Sequence, residues 1–157
     1  MSEFLSPTYR LEQEQFIPRP RSEVFRFFSN AFNLELLTPS FVKLKILTPA
    51  PFEMHPGALI DYRLSVFGLG VNWRARIESQ TPEESFVDTQ ERGPYASWHH
   101  THTFHEVEGG TLIRDVVQYQ MPFGLLGRLA HGLFVQRWLR HIFTFRRQAL
   151  LSVFDAS

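Results

Sequence analysis

The sequence predicts an α+β domain in which a curved, seven-stranded antiparallel sheet wraps around one long C-terminal helix. Polar and apolar residues alternate with period two through residues 9–17 and through six segments of residues 41–120, which is typical of half-buried strands. Residues 125–153 are instead apolar at helical spacing and contain no proline. Because a sheet with one apolar face needs a cover, we expect the long helix to lie across that face.

The N-terminal part of the chain predicts one strand followed by two short helices. The strand covers residues 9–17 and ends at Pro18. Ser22 is then expected to cap a helix that has one apolar side. A second short helix is predicted at residues 32–37. It ends before Pro39, because the residue that precedes a proline avoids helical backbone angles.

Six further strands follow, separated by turns that contain Gly, Pro or Glu. Most of these turns are short enough for hairpins, so the sheet is predicted to be an antiparallel meander. The predicted strands cover residues 41–47, 59–67, 71–79, 86–90, 97–107 and 111–120.

The terminal helix is predicted to bend near its beginning. From residue 134 onward its apolar residues form one stripe, but three leucines within residues 126–133 fall out of phase with that stripe. A bend near Gly127 or Gly132 would explain the change, because a missing side chain weakens helical regularity. Arg146 interrupts the apolar stripe, so its side chain is expected either to reach the helix edge or to meet a buried carboxylate.

Composition excludes several classes of protein. The 157 residues are 43% hydrophobic and 20% charged, which predicts a single domain over residues 1–157 with its core at about 8–153. Sixteen basic residues balance sixteen acidic ones, so no nucleic-acid partner is predicted. The lack of cysteine excludes disulfides and thiolate metal sites. Since no segment resembles a signal peptide or a membrane span, we expect a cytoplasmic protein without membrane insertion.

The residues that best indicate chemistry lie in the last predicted hairpin. Four of the seven histidines fall between residues 99 and 105. A turn at residues 109–110 predicts three cross-strand pairs, which are Phe104 with Asp115, His102 with Val117, and His100 with Tyr119. These residues share the apolar face of the sheet, whereas His99 and His105 are predicted to point outward.

A polar group is therefore predicted inside an otherwise apolar cavity. Its members are His100, His102, Asp115 and Tyr119, with Asp88 and Gln90 from the preceding strand. Burying carboxylates costs several kcal/mol unless they are paired, so the two aspartates need donors. Three interpretations stay open: a hydrogen-bond network that fixes strand register, a set of contacts that orients a ligand, or an acid–base site. In the last of these, His100 or His102 removes a proton and Asp115 orients the imidazole.

Two histidines at positions i and i+2 beside aspartates would also suit zinc or ferrous iron. Such a spacing is common by chance, and neither a cysteine nor an HExxH pattern accompanies it. We therefore predict no metal and no other cofactor.

The order of the predicted elements is one strand, two short helices, six strands and a long helix, and the two short helices carry the segments PRSEVFRFFSN at 20–30 and NLELLTP at 33–39. This combination resembles the helix-grip superfamily, which includes START lipid-transfer domains, birch-pollen-allergen-like proteins, coenzyme-Q-binding proteins and polyketide cyclase/dehydrases. A second pattern consists of FVDTQ at 86–90, Gly93-Pro94 and WHHTHTF at 98–104, followed by Gly110-Thr111, Asp115, Tyr119, Pro122 and Gly124. This second pattern is similar to a bacterial branch of SRPBCC ligand-binding proteins. The resemblance implies a cavity for a hydrophobic small molecule between sheet and helix, in a superfamily that contains both carriers and enzymes.

Our main hypothesis is a protein that binds or transports a lipid-like or aromatic molecule in this cavity. The alternative is a cyclase/dehydrase-type enzyme that uses the same histidines for proton transfer. A weaker alternative is an interaction module that forms a homodimer through Phe134, Trp138 and Phe145 of the terminal helix. The residues predicted to contact the ligand are Trp73, Phe86, Asp88, Gln90, Trp98, His100, His102, Phe104, Asp115, Val117, Tyr119, Leu139 and Phe143.

Overall fold

A computed structural model describes residues 7–155, so residues 1–6 and 156–157 of the predicted domain lie outside the described part. Strand β1 (Tyr9–Ile17) leads into helix α1 (Arg21–Ser29) and two 3₁₀ turns, Ala31–Glu35 and Ser40–Val42. The remaining strands are β2 (Lys45–Ile46), β3 (Leu59–Val66), β4 (Leu69–Thr81), β5 (Ser85–Arg92), β6 (Ser97–Val107) and β7 (Gly110–Gln120). The C-terminal helix, residues 124–155, consists of α2 (Gly124–Ala130), a π-helical segment (His131–Val135) and α3 (Gln136–Asp155).

The seven strands form one antiparallel sheet in the order β1-β7-β6-β5-β4-β3-β2. The register between β4 and β5 shifts twice, between Arg74 and Ala75 and between Ile77 and Ser79. Shifts of this kind are β-bulges, which bend a strand and increase its twist. The predicted helix-grip architecture is confirmed, with seven antiparallel strands, short helices after the first strand and a long terminal helix.

The core on the inner face of the sheet consists of two clusters. One is built around Phe25, Phe104 and Leu150, and it joins α1 and α3 to the sheet. The other contains Val117 and Leu139. Amide side chains of β1 also bind α3, since Gln15 Nε2 donates to the Arg147 carbonyl at 2.8 Å and Gln13 Nε2 donates to the Phe143 carbonyl at 3.4 Å. The terminal helix is thus attached to the sheet by both apolar and polar contacts.

Two of the predicted short elements differ from those in the structure. The strand predicted at residues 41–47 is wrong in its first half, where the chain turns and only Lys45–Ile46 pairs with β3. Lys43 has a left-handed backbone with φ 51° and donates its N–H to the Ser40 carbonyl, so the alternating side chains there do not lie on a sheet. The helix predicted at residues 32–37 is instead a 3₁₀ turn at Ala31–Glu35. Near its start, the Phe32 N–H donates to the Asn30 side chain.

The predicted change of phase in the terminal helix is present, but its cause is different. Residues 131–135 form a π turn, which accommodates one extra residue and rotates everything before it relative to α3. The leucines of the first part, Leu126, Leu129 and Leu133, are consequently more than half exposed. No helix in residues 7–155 has the length and apolar character that crossing a bilayer requires.

Two glycines of the terminal helix should respond in opposite ways to the same substitution. A Cβ at Gly127 would lie 1.9 Å from the Pro122 carbonyl oxygen, whereas a Cβ at Gly132 would meet nothing within 4 Å. We expect Gly127→Ala to lower the free energy of unfolding by about 1–3 kcal/mol through overpacking. Gly132→Ala should raise it by up to about 1 kcal/mol because alanine favours helix. Urea denaturation of both variants measures the difference, and equal effects would contradict the close packing of Gly127.

Candidate functional site

The β6–β7 hairpin determines which polar side chains meet, and its predicted register is wrong by two residues. Val107 pairs with Gly110, so Glu108 and Gly109 form a two-residue loop instead of residues 109–110. Gly109 has φ 81°, a conformation that glycine adopts without strain. A two-residue shift leaves every side chain on its predicted face but changes its partner.

The observed register replaces each of the three predicted cross-strand pairs. The pairs are His102 with Asp115, His100 with Val117, and Phe104 with Ile113. On the other side of β6, His100 pairs with Asp88 of β5. Asp88, His100, His102 and Asp115 thus come together, and we call them the His–Asp cluster.

Each aspartate of the His–Asp cluster contacts both imidazole rings. Asp115 Oδ1 lies 3.0 Å from His100 Nε2 and 3.0 Å from His102 Nδ1. Asp88 Oδ2 lies 2.7 Å from His102 Nε2 and 3.9 Å from His100 Nδ1. The two rings are stacked with their centroids 3.7 Å apart. The cluster is therefore a stacked pair of imidazole rings that lies between two carboxylates. Asp88 faces one nitrogen of each ring, and Asp115 faces the other.

Burial makes the electrostatics of the cluster strong. His100, His102 and Asp115 are at most 5% exposed, and Phe86 stacks on the His102 ring at 4.1 Å. Burial alone would lower the pKa of His102, but the adjacent carboxylates raise it above its ordinary value. Burial and the neighbouring charge of His102 lower the pKa of His100. Of the two imidazoles, His102 is consequently the one that takes up a proton more readily.

The carboxylates respond in the opposite sense. Burial alone would raise the pKa of both aspartates, but hydrogen bonds from the imidazoles outweigh it and hold the two pKa values below their ordinary range. Arg146 adds to this effect at Asp88. Asp88 and Asp115 are thus ionised acceptors, as their need for donors predicts.

A cavity of about 290 Å³ adjoins the cluster, between the sheet and the terminal helix. Its wall is mainly apolar and aromatic, with side chains from α1 and the turn after it, from β3 to β6, and from α3. Trp73, Tyr95 and Trp98 form an aromatic group in that wall, with ring centroids 4.9–5.6 Å apart. The polar side chains of the His–Asp cluster that reach the cavity are Asp88, His100 and His102, whereas Asp115 lies behind them.

Eight of the thirteen residues predicted to contact a ligand line this cavity, namely Trp73, Phe86, Asp88, Trp98, His100, His102, Leu139 and Phe143. The other five lie elsewhere. Phe104 is in the core beneath α1, and Val117 and Tyr119 pack in the second cluster. Asp115 contacts the histidines from behind, and Gln90 binds the backbone of Tyr95 with its amide group.

Other parts of the site escape prediction from the sequence. Tyr62, Leu64 and Ile142 line the cavity, but nothing in their spacing separates them from ordinary core residues. Tyr119 bonds to His131 of the π turn at 2.7 Å instead of joining the His–Asp cluster. Burial raises the pKa of Tyr119 to about 12, so its hydroxyl remains protonated.

Three side-chain nitrogens of cavity-lining residues have no hydrogen-bond partner within the part of the chain that the structure describes. One is Nδ1 of His102, which faces Asp115 at 3.0 Å without hydrogen-bond geometry, and the other two are the buried donors Nε1 of Trp73 and Nε of Arg146. The Arg146 guanidinium lies 4.8 Å above the Phe143 ring in the cavity wall, and no salt bridge joins it to a carboxylate within residues 7–155. An unsatisfied buried donor costs about 1–3 kcal/mol, which an acceptor brought into the cavity would recover.

The shared carboxylate of Asp115 should be important for stability. We expect Asp115→Asn to lower the free energy of unfolding by about 3 kcal/mol, because it removes the charge that both buried imidazoles face. The matched control is Glu12→Gln on β1, whose exposed ion pairs with Arg10 and Arg114 contribute little. Urea denaturation monitored by tryptophan fluorescence gives both values, and similar midpoints for the two variants would contradict a structural role for Asp115.

Solved structures similar to this chain share its fold. Protein CV1439 from Chromobacterium violaceum is 16% identical with a TM-score of 0.72, and the alignment covers 94% of this chain and 98% of that one. Ara h 8.0201 is also 16% identical, with a TM-score of 0.59 and coverage of 93% and 99%. A nucleoside-diphosphate sugar epimerase from Corynebacterium glutamicum is 26% identical over 90% of this chain but only 28% of its own length, with a TM-score of 0.63.

The family comparison is more specific than the structural one. A search of curated proteins by sequence found no match. The family model described as polyketide cyclase / dehydrase and lipid transport matches residues 17–142, which include α1, the six strands β2 to β7 and the first part of the terminal helix. The chain therefore belongs to the polyketide cyclase / dehydrase and lipid transport family.

Proposed function

We propose that this protein binds a hydrophobic small molecule in the cavity between the sheet and the terminal helix. The observation that carries the proposal is a cavity of about 290 Å³ whose mainly apolar and aromatic wall includes a few polar side chains, among them Asp88, His102 and Arg146. Small-molecule sites are typically concave and mostly apolar, with a small number of polar groups that set the orientation of the ligand. Family membership supports a lipid-like or aromatic ligand.

The polar groups of the wall favour a ligand with an oxygen acceptor at one end. Trp73 Nε1 and Arg146 Nε are both donors without a partner among the described residues. Arg146 is positively charged and lies on α3 next to the apolar ring of Phe143. A carboxylate or ketone oxygen would satisfy these donors, while the aromatic wall would bury the rest of the molecule. We therefore propose a ligand with an apolar body and an acidic or carbonyl end.

Filling the cavity should weaken binding. Ile142 lines the cavity from α3, whereas Thr144 is exposed two residues later on the same helix. We expect Ile142→Trp to weaken binding of the fluorescent probe 1-anilinonaphthalene-8-sulfonate by about 10-fold or more, since the added ring occupies the space of the ligand. Thr144→Trp should leave the affinity unchanged. Thermal denaturation shows whether both variants are folded. Equal probe affinities in two folded variants would contradict the proposal.

The acceptor preference is tested at Arg146. We expect Arg146→Gln to weaken displacement of the probe by dodecanoate by about 10-fold and to leave displacement by dodecanol nearly unchanged, because only the carboxylate uses the charged donor. Arg137→Gln is the control, since Arg137 is exposed on the same helix and does not line the cavity. Equal losses for acid and alcohol would assign Arg146 a packing role and contradict its role in recognition.

A cyclase/dehydrase-type enzyme is the second candidate, and the position of His102 favours it. This imidazole lines the cavity, contacts Asp88 at 2.7 Å and has Asp115 behind it at 3.0 Å. A histidine oriented by a carboxylate is a common general acid or base. If the protein is an enzyme of this kind, His102→Gln keeps probe affinity but stops the ring closure of a linear polyketone. In that reaction an aldol addition forms a carbon–carbon bond, and the resulting hydroxyl leaves with a neighbouring proton as water, which mass spectrometry detects. Retained turnover in that variant would exclude His102 as the acid or base.

A further inference from the structure

One ring nitrogen from each histidine of the His–Asp cluster faces the same carboxylate. His100 Nδ1 and His102 Nε2 lie 3.9 Å and 2.7 Å from the same oxygen, Asp88 Oδ2. One ligating atom from each of these three residues lies within 4.8 Å of the other two. Two ligands of a tetrahedral zinc ion, each about 2.1 Å from the metal, are about 3.4 Å apart. Small rotations of the three side chains would bring their ligating atoms to that spacing.

Asp115 occupies the position of an outer carboxylate for both imidazoles. Its Oδ1 lies 3.0 Å from the ring nitrogens that face away from Asp88, which are His100 Nε2 and His102 Nδ1. In metal sites the nitrogen of a ligating histidine that is not bound to the metal usually faces a carboxylate or carbonyl, which fixes the orientation of the ring. The paired strands β6 and β7 hold this arrangement in place, because His102 is directly opposite Asp115.

The charges of the cluster match those of a divalent cation. Two carboxylates with two neutral imidazoles carry a charge of minus two, which one divalent ion neutralises. In the absence of an ion, a proton on one imidazole and the nearby guanidinium of Arg146 offset this charge. The ion would therefore displace that proton when it binds.

Although the spacing along the sequence alone predicts no metal, the three-dimensional arrangement leads us to propose that Asp88, His100 and His102 form a binding site for a divalent transition metal, with Asp115 as the outer carboxylate. Two imidazoles and one carboxylate are the ligand types that zinc and ferrous iron accept, whereas calcium and magnesium prefer oxygen ligands alone. All three ligands line the cavity and Asp115 does not, so the remaining coordination positions of the ion face the cavity. An oxygen atom of a bound molecule would be placed to complete the coordination.

This site does not rest on the proposed binding of an apolar molecule. The ion would contact the polar side of the wall, and its binding can be measured with no organic ligand present. Probe binding in the absence of metal tests the cavity, and metal binding in the absence of probe tests the His–Asp cluster. Failure of one proposal is therefore distinguishable from failure of the other.

The test is a titration of the full chain, first stripped with EDTA and then freed of chelator, with Zn²⁺ in competition with a chromophoric chelator. We expect one zinc ion per chain. His102→Gln and Asp88→Asn should each weaken binding by about 100-fold, and Asp115→Asn should weaken it by about 10–100-fold as an outer-shell change. The matched control is the double variant His99→Gln, His105→Gln, which removes two exposed histidines of the same strand and should keep wild-type affinity.

A second measurement avoids the question of whether the variants fold. Co²⁺ added to the wild-type chain should give visible absorption bands typical of a low-coordinate site with nitrogen and oxygen ligands, and Zn²⁺ should abolish them in one-to-one proportion. Mg²⁺ should not. Absence of stoichiometric Zn²⁺ and Co²⁺ binding by the wild-type chain would overturn the proposal. Binding that the His99, His105 control loses and the cluster variants keep would overturn it as well.

Discussion

A charged carboxylate in the interior of a protein must find donors, and Asp115 finds them in two imidazoles on the neighbouring strand. This constraint links the sheet to the site. Asp115 is 4% exposed, and β7 places it directly opposite His102. A pairing of β6 with β7 that moved both imidazoles away from Asp115 would leave a buried charge without compensation, at a cost of several kcal/mol. The His–Asp cluster is therefore both a device that selects one strand register and the polar side of the cavity.

The cavity itself follows from the shape of the covering layer. One helix is narrower than a seven-stranded sheet, so α3 packs closely near β1 and leaves space toward β3 and β4. Large aromatic rings border that space without filling it. The same fold thus accounts for the apolar interior that a hydrophobic ligand requires and for the polar groups that meet one end of it.

The architecture could be predicted from the sequence because it depends on periodicity, which reports the side of a strand or helix that faces the core. The partner of a side chain depends on the loop, and a one-residue error in the position of the loop moves the register by two. His102 was assigned the correct face but the wrong neighbour for this reason. The alternation of polar and apolar residues at 41–47 likewise does not report the local backbone. Lys43 adopts a left-handed conformation there, so the chain turns and the first half of the segment forms no strand.

Some features have no local signal at all. Arg146 could be identified as unusual because it breaks an apolar stripe, but its position over Phe143 depends on the packing of α3. Tyr62 lines the cavity only because its strand, β3, borders the same space as β6, although the two strands are several positions apart in the sheet. Such long-range placement can be read from coordinates but not from spacing along the chain.

The π turn at His131–Val135 gives the terminal helix two faces with different roles. One added residue offsets the two halves of the rod by about 100°. The row of side chains that continues into the interior as Leu139 and Phe143 is thereby separated from Leu126 and Leu129, which meet solvent. Because of this single irregular turn, one continuous helix covers the interior with its α3 part and exposes a row of apolar side chains to solvent on its α2 part.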